Sequence, residues 1–119
     1  MKAKLKKHFE YELAHAAVAE AAGNLPEAWR ALERAHVLSQ AHALPHLRVH
    51  RHMFTFAWRR SDVRELLGQV PRLLLAAPGS WLGRAPLGNT GGANVGIFTP
   101  MPIPEDIQAL LQNDSEGSP

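Results

Sequence analysis

Pro45-His-Leu-Arg-Val-His-Arg-His-Met-Phe-Thr-Phe-Ala-Trp-Arg-Arg60 sorts its side chains cleanly when it is wound as a helix. At about 100° per residue, Arg48, Arg51, His52, Thr55 and Arg59 fall within roughly one third of the circumference. Val49, Met53, Phe54, Phe56 and Ala57 take the opposite side. His46 and His50 lie in the middle of that apolar side, one turn apart. Both are therefore expected to be buried, and His52 is expected to face solvent.

The punctuation on either side extends this to a helical chain. Residues 5–22 are alanine-rich and free of glycine and proline, and Gly23-Asn24 closes them. Pro26 and Glu27 suit the first turn of a second helix reaching about Ala41. His42-Ala-Leu forms a turn before the third helix. Ser61 is expected to cap a fourth helix that ends before Pro78-Gly79. Residues 78–104 then hold five of the nine prolines and six of the nine glycines, too many for a regular helix. Phe98, Met101 and Ile103 give this segment enough apolar weight to wrap over the helices. Pro104-Glu-Asp106 opens a short fifth helix to about Leu111, and residues 113–119 read as a disordered tail.

The expected fold is thus all-α, with antiparallel helical hairpins in a single domain over residues 1–112. Gly23-Asn-Leu-Pro-Glu-Ala28 followed by Ala35 is weakly tetratricopeptide-like. Gln40 stands where that repeat has proline, and no clean 34-residue period is present.

Composition narrows the function. The chain has 119 residues, 45% hydrophobic and 20% charged, which is enough for one domain with its own core. It contains no cysteine, so thiol catalysis, disulfides, iron–sulfur clusters and cysteine zinc fingers are excluded. No apolar run approaches the roughly 20 residues of a membrane span, and no signal peptide is visible, so a cytoplasmic location is expected. A net charge of +2 does not mark a general polyanion binder. Arg48, Arg51, Arg59, Arg60 and Arg64 cluster near Trp58, but Asp62 and Glu65 dilute the patch. A solvated face or a protein contact, such as a homodimer, fits it better than nucleic acid.

The histidines carry the chemical signal. A buried imidazole with an unsatisfied nitrogen costs on the order of 1–3 kcal/mol, so His46 and His50 need partners from facing helices. The second helix offers Glu33 and His36, and the first offers Glu12 and His15. Two Glu-x-x-His pairs on separate helices are what carboxylate-bridged di-iron and di-manganese bundles use. The candidate metal ligands are therefore Glu12, Glu33, His36, His46 and His50. This nitrogen and oxygen donor set suits iron or zinc first, then manganese or copper(II), and disfavours copper(I). Gln40 and His15 are candidates to orient the imidazoles, and an open coordination position would permit redox or oxygen chemistry. The competing reading is a metal-free hairpin module for protein interaction, in which Glu33 and His36 satisfy His46 and His50 by hydrogen bonds alone. Gly88-Asn-Thr-Gly-Gly92 lacks the Lys-Ser/Thr ending of a phosphate-binding loop, and no serine sits in a nucleophile elbow.

Leu32-Glu-Arg-Ala-His36, His46…His50, Pro86-Leu-Gly-Asn-Thr-Gly-Gly-Ala-Asn94 and Met101-Pro-Ile-Pro104 together resemble one bacterial family, domain of unknown function 3703. The resemblance covers about residues 9–111. It implies matches at Glu12, Glu33, His36, Gln40, His46, His50 and Met53, and none for histidine at positions 8, 15, 42 or 52. It thereby shifts weight from the Glu12/His15 pair to Glu12 alone. The family name implies no activity.

Overall fold

The computed structural model describes residues 1–81 and 101–115, with the side chains of residues 75–81 left aside. Among the described residues there are five helices and no strand: α1 (Ala3–Ala21), α2 (Leu25–Ser39), α3 (Ala43–Arg59), α4 (Val63–Trp81) and α5 (Glu105–Ser115). None of them is long and apolar enough to cross a membrane.

α1, α2, α3 and α5 each bury an apolar stripe set by helical spacing. On α1, Leu5, Phe9, Leu13, Ala16 and Ala19 face inward. On α2, the small side chains of Ala28, Ala31 and Ala35 share the buried face with Leu32 and Leu38. Val49, Met53, Phe56 and Ala57 carry the core side of α3, and Ile107 of α5 is fully buried. α1 packs on α2, α3 on α4, α2 on α3, and α5 lies against α1 and α2.

Side-chain pairs set the directions. From α1 to α2, His15 meets Glu27 and Glu12 meets Arg34, so the two helices run in opposite senses. From α1 to α3, Glu10 pairs with Arg48, and Glu20 with Arg59 and Arg60. Those partners rise together along the chain, so α1 and α3 run parallel. The same pairs neutralise three of the five arginines in the expected basic patch.

One backbone device ends both α1 and α3. After α1, Gly23 takes φ +81°, and Gly23 N and Asn24 N donate to Glu20 O and Ala19 O. After α3, Ser61 takes φ +55°, and Ser61 N and Asp62 N donate to Trp58 O and Ala57 O. This is the Schellman arrangement, which needs a left-handed residue just past the helix. Serine occupies that position at a cost glycine escapes. Ser61 therefore closes α3 and does not cap α4. That role falls to Asp62, whose Oδ1 accepts from Glu65 N at 3.0 Å.

Three further boundaries differ from expectation. α4 does not stop before Pro78-Gly79 but runs through Trp81. An interior proline removes one hydrogen bond and kinks a helix, yet does not by itself end one. α2 ends at Ser39, two residues early. α5 continues through Ser115, taking in residues 113–115 of the expected tail. There Asp114 accepts from Lys2 N at 2.6 Å and lies 3.0 Å from His42 Nε2, which gives the last turn of α5 a reason to persist. Most of the expected wrapping segment and residues 116–119 lie outside the described residues.

Candidate metal centre

His36 on α2 and His46 and His50 on α3 meet in the core, all three buried. His46 and His50 are stacked one turn apart because the i and i+4 positions of a helix share a face. α2 crosses that face and inserts His36 between them. Ring centroids lie 4.7–4.9 Å apart, with the planes of His36 at 70° and 78° to its neighbours. Edge-on rings bring nitrogen to nitrogen. His36 Nε2 is 3.0 Å from both other Nε2 atoms, and those of His46 and His50 are 3.2 Å apart.

Hydrogen bonding within this triangle cannot satisfy it. Each neutral Nε2 either carries a hydrogen or presents a lone pair. With three atoms and two kinds, at least one of the three contacts sets like against like. A cation among the three lone pairs removes the conflict. Imidazole nitrogens bind zinc at about 2.0–2.1 Å, which separates them by about 3.3 Å in a tetrahedral site and about 2.9 Å at adjacent octahedral corners. The observed 3.0–3.2 Å falls between those values.

The protonation chemistry agrees. Burial, reinforced by the neighbouring His46, pushes the His50 pKa down to about 3 from the usual 6.5, against the opposing hydrogen bond with Gln69. His50 is therefore neutral at physiological pH, the form in which imidazole binds metal. His50 Nδ1 lies 2.7 Å from Gln69 Oε1, on α4. Gln69 Nε2 donates to Glu65 Oε2 at 2.7 Å and faces Met53 Sδ at 3.7 Å.

The two glutamates of the expected ligand set stand elsewhere. Among the described residues, the ligand atoms that gather within 4.8 Å of one another are those of the three histidines. Glu12 is buried, and its Oε2 lies 3.3 Å from Arg34 Nε in an ion pair outside hydrogen-bond geometry. Arg34 also pairs with Asp106 of α5. The cation that a buried Glu12 requires is thus a guanidinium. Glu33 is half-buried and lines a surface cleft beside Arg30, Arg34 and Pro104. His15, expected to orient an imidazole, pairs with Glu27 near the surface. Gln40 is buried.

Sequence reasoning passed over Gln69 and Glu65. Their only signal is an uncharged polar residue at position 69 in the mostly apolar stretch Leu66–Leu75, which also holds Arg72, four residues after a glutamate. That spacing puts both on one helix face.

The family model described as "Protein of unknown function (DUF3703)" matches residues 3–111, so the chain belongs to that family. No curated protein and no solved structure matches the chain.

Proposed function

We propose that this member of the family binds one divalent transition metal ion through Nε2 of His36, His46 and His50. The Nε2 triangle is the observation that carries the reading: three buried nitrogens converge at 3.0–3.2 Å. Three neutral nitrogen donors suit zinc, iron or copper(II). Manganese prefers carboxylates, and Glu12, its strongest candidate here, is paired with Arg34. Three protein ligands leave a position for water or a small molecule, the arrangement of catalytic rather than structural sites. With iron or copper that position would support redox or oxygen chemistry. We also read the alternating helix directions as stacked hairpins of a tetratricopeptide-like kind.

Elemental analysis of untagged protein, with add-back of zinc, iron and copper to chelated protein, tests the reading. One equivalent per chain, lost in His36→Ala and His46→Ala, supports it. Absence of uptake for every metal overturns it.

A second reading, a protein-interaction module, draws on Val63, Leu67, Val70 and Leu74. These exposed apolar residues recur at intervals of four, three and four along α4. Size-exclusion chromatography with light scattering, comparing Leu67→Glu with the parent, would show whether that face supports self-association.

A further inference from the structure

From the contacts of α4 we infer that Gln69 is a positioning residue for the metal centre: its amide holds His50 as the Nδ1–H tautomer, and Glu65 holds the amide. The inference deepens the three-histidine reading and rests on it for its effect on metal, though not for its effect on the tautomer.

The orientation of the amide follows from its two ends. Glu65 Oε2 is a carboxylate oxygen that accepts, so the end of Gln69 facing it at 2.7 Å is the NH₂ group. The opposite end is then the carbonyl oxygen, 2.7 Å from His50 Nδ1. A carbonyl oxygen only accepts, so Nδ1 carries the hydrogen and donates it. In a neutral ring the other nitrogen must then carry a lone pair. That nitrogen is Nε2, the atom that meets His36 and His46. The chain Glu65–Gln69–His50 therefore presents a donor pair to the centre before any ion arrives. Gln69 is fully buried and Met53 Sδ stands on its NH₂ side, which leaves the amide little room to turn over. An outer partner of this kind raises ligand basicity and fixes ring orientation, and its loss typically lowers metal affinity about 10–100-fold.

An amide rather than a carboxylate touches His50, so the negative charge sits one residue further out, on Glu65. Exchanging the two by Glu65→Gln with Gln69→Glu keeps both contacts but reverses the outer hydrogen bond, so that position 69 accepts from both sides and the charge moves against the imidazole.

The experiment uses the full chain with zinc alone as the probe, in competition with a chromophoric chelator. Long-range proton–nitrogen NMR of the imidazoles in metal-free protein runs beside it. The parent is expected to show His50 protonated at Nδ1. Gln69→Leu should lose that single tautomer and bind zinc about 10–100-fold more weakly. The exchanged pair should recover the tautomer and bind zinc at least as tightly as the parent. A role confined to packing would let Gln69→Leu shift melting while zinc affinity and tautomer stay put, and that result overturns the inference. So does a parent His50 protonated at Nε2. If Gln69→Leu does not fold, the exchanged pair decides alone: weaker zinc binding than the parent refutes the relay. If the parent takes up no zinc, iron or copper, the metal reading falls, and the NMR result still decides whether Gln69 sets the tautomer.

Discussion

α2 carries two polar arrangements only two residues apart, one reaching the surface and one inside the core, and they balance charge in different ways. On one side, Arg34 faces Glu12 of α1 and Asp106 of α5. On the other, His36 faces His46 and His50 of α3. The first arrangement contains its own counter-charge, and Arg34 holds the Asp106 carboxyl below the usual range by its hydrogen bond, against the effect of burial. The second brings three imidazole nitrogens against one another, with no carboxylate or guanidinium among them. A pair of opposite charges is complete as folded. The imidazole triangle has no counter-charge of its own, and on the proposed reading a metal ion supplies one, which would tie apparent stability there to metal supply.

The largest expected effect tests that difference directly. A metal at a thousand-fold excess over its Kd should stabilise the protein by about 4 kcal/mol, since only the native state offers the site. Calorimetry with EDTA and then with added metal should show the gain in the parent and in Glu12→Gln, and lose it in His46→Ala. A gain that survives in His46→Ala would break the contrast, because the metal would then bind elsewhere.

Glu12→Gln should cost about 1–3 kcal/mol in denaturant unfolding by leaving Arg34 one partner short. Asp106 stays available to that guanidinium, which holds the loss below that of a fully stranded charge. Zinc affinity should change by less than two-fold. A large drop would return Glu12 to the metal site and dissolve the distinction between the two sides of α2.

Acid should separate the two regions in sequence. The folded His50 pKa lies below its unfolded value, so the unfolded chain takes up the proton first. Stability of metal-free protein from this group is complete above about pH 6.5 and falls as pH drops toward 3, by at most about 1.4 kcal/mol per pH unit. Asp106 is also depressed, so its contribution holds above the usual carboxylate range and is lost only below about pH 4. Unfolding free energies at pH 7, 5.5 and 4.5 should therefore decline in the parent and decline less in His50→Leu. A flat profile down to pH 4.5 would place His50 in a wetter setting than the core described here.

The smallest effects lie at the turns that join each region. Ser61→Gly, beside the α3–α4 pair, should stabilise by up to about 1 kcal/mol by relieving the left-handed serine. Gly23→Ala, at the α1–α2 turn, should destabilise by about 1–2 kcal/mol. A Cβ at Gly23 would meet nothing within 4 Å, so the backbone alone sets that cost. Opposite signs are expected in thermal unfolding, and equal signs would mean that the two turns are not the same device.

The sequence by itself determined that the chain is helical and which faces α2 and α3 bury. His46 and His50 were legible as buried and His52 as exposed, because helical period converts position into direction without reference to the rest of the molecule. His36 was legible as a partner for the same reason. Local rules were less sufficient at boundaries. Asp62 and Ser61 are both good caps in isolation, and only the left-handed turn that ends α3 assigns them different tasks. What tertiary structure alone decided is which polar groups meet. Spacing put Glu12 and His36 on core-facing sides of separate helices, but crossing geometry carried Glu12 to Arg34 and left the imidazoles to each other. It also brought Gln69, a polar residue in a mostly apolar stretch, against His50. One-dimensional periodicity fixes the direction of a side chain around its own helix. It does not fix the neighbour waiting there, because that depends on how far along its axis each helix has slid when it packs.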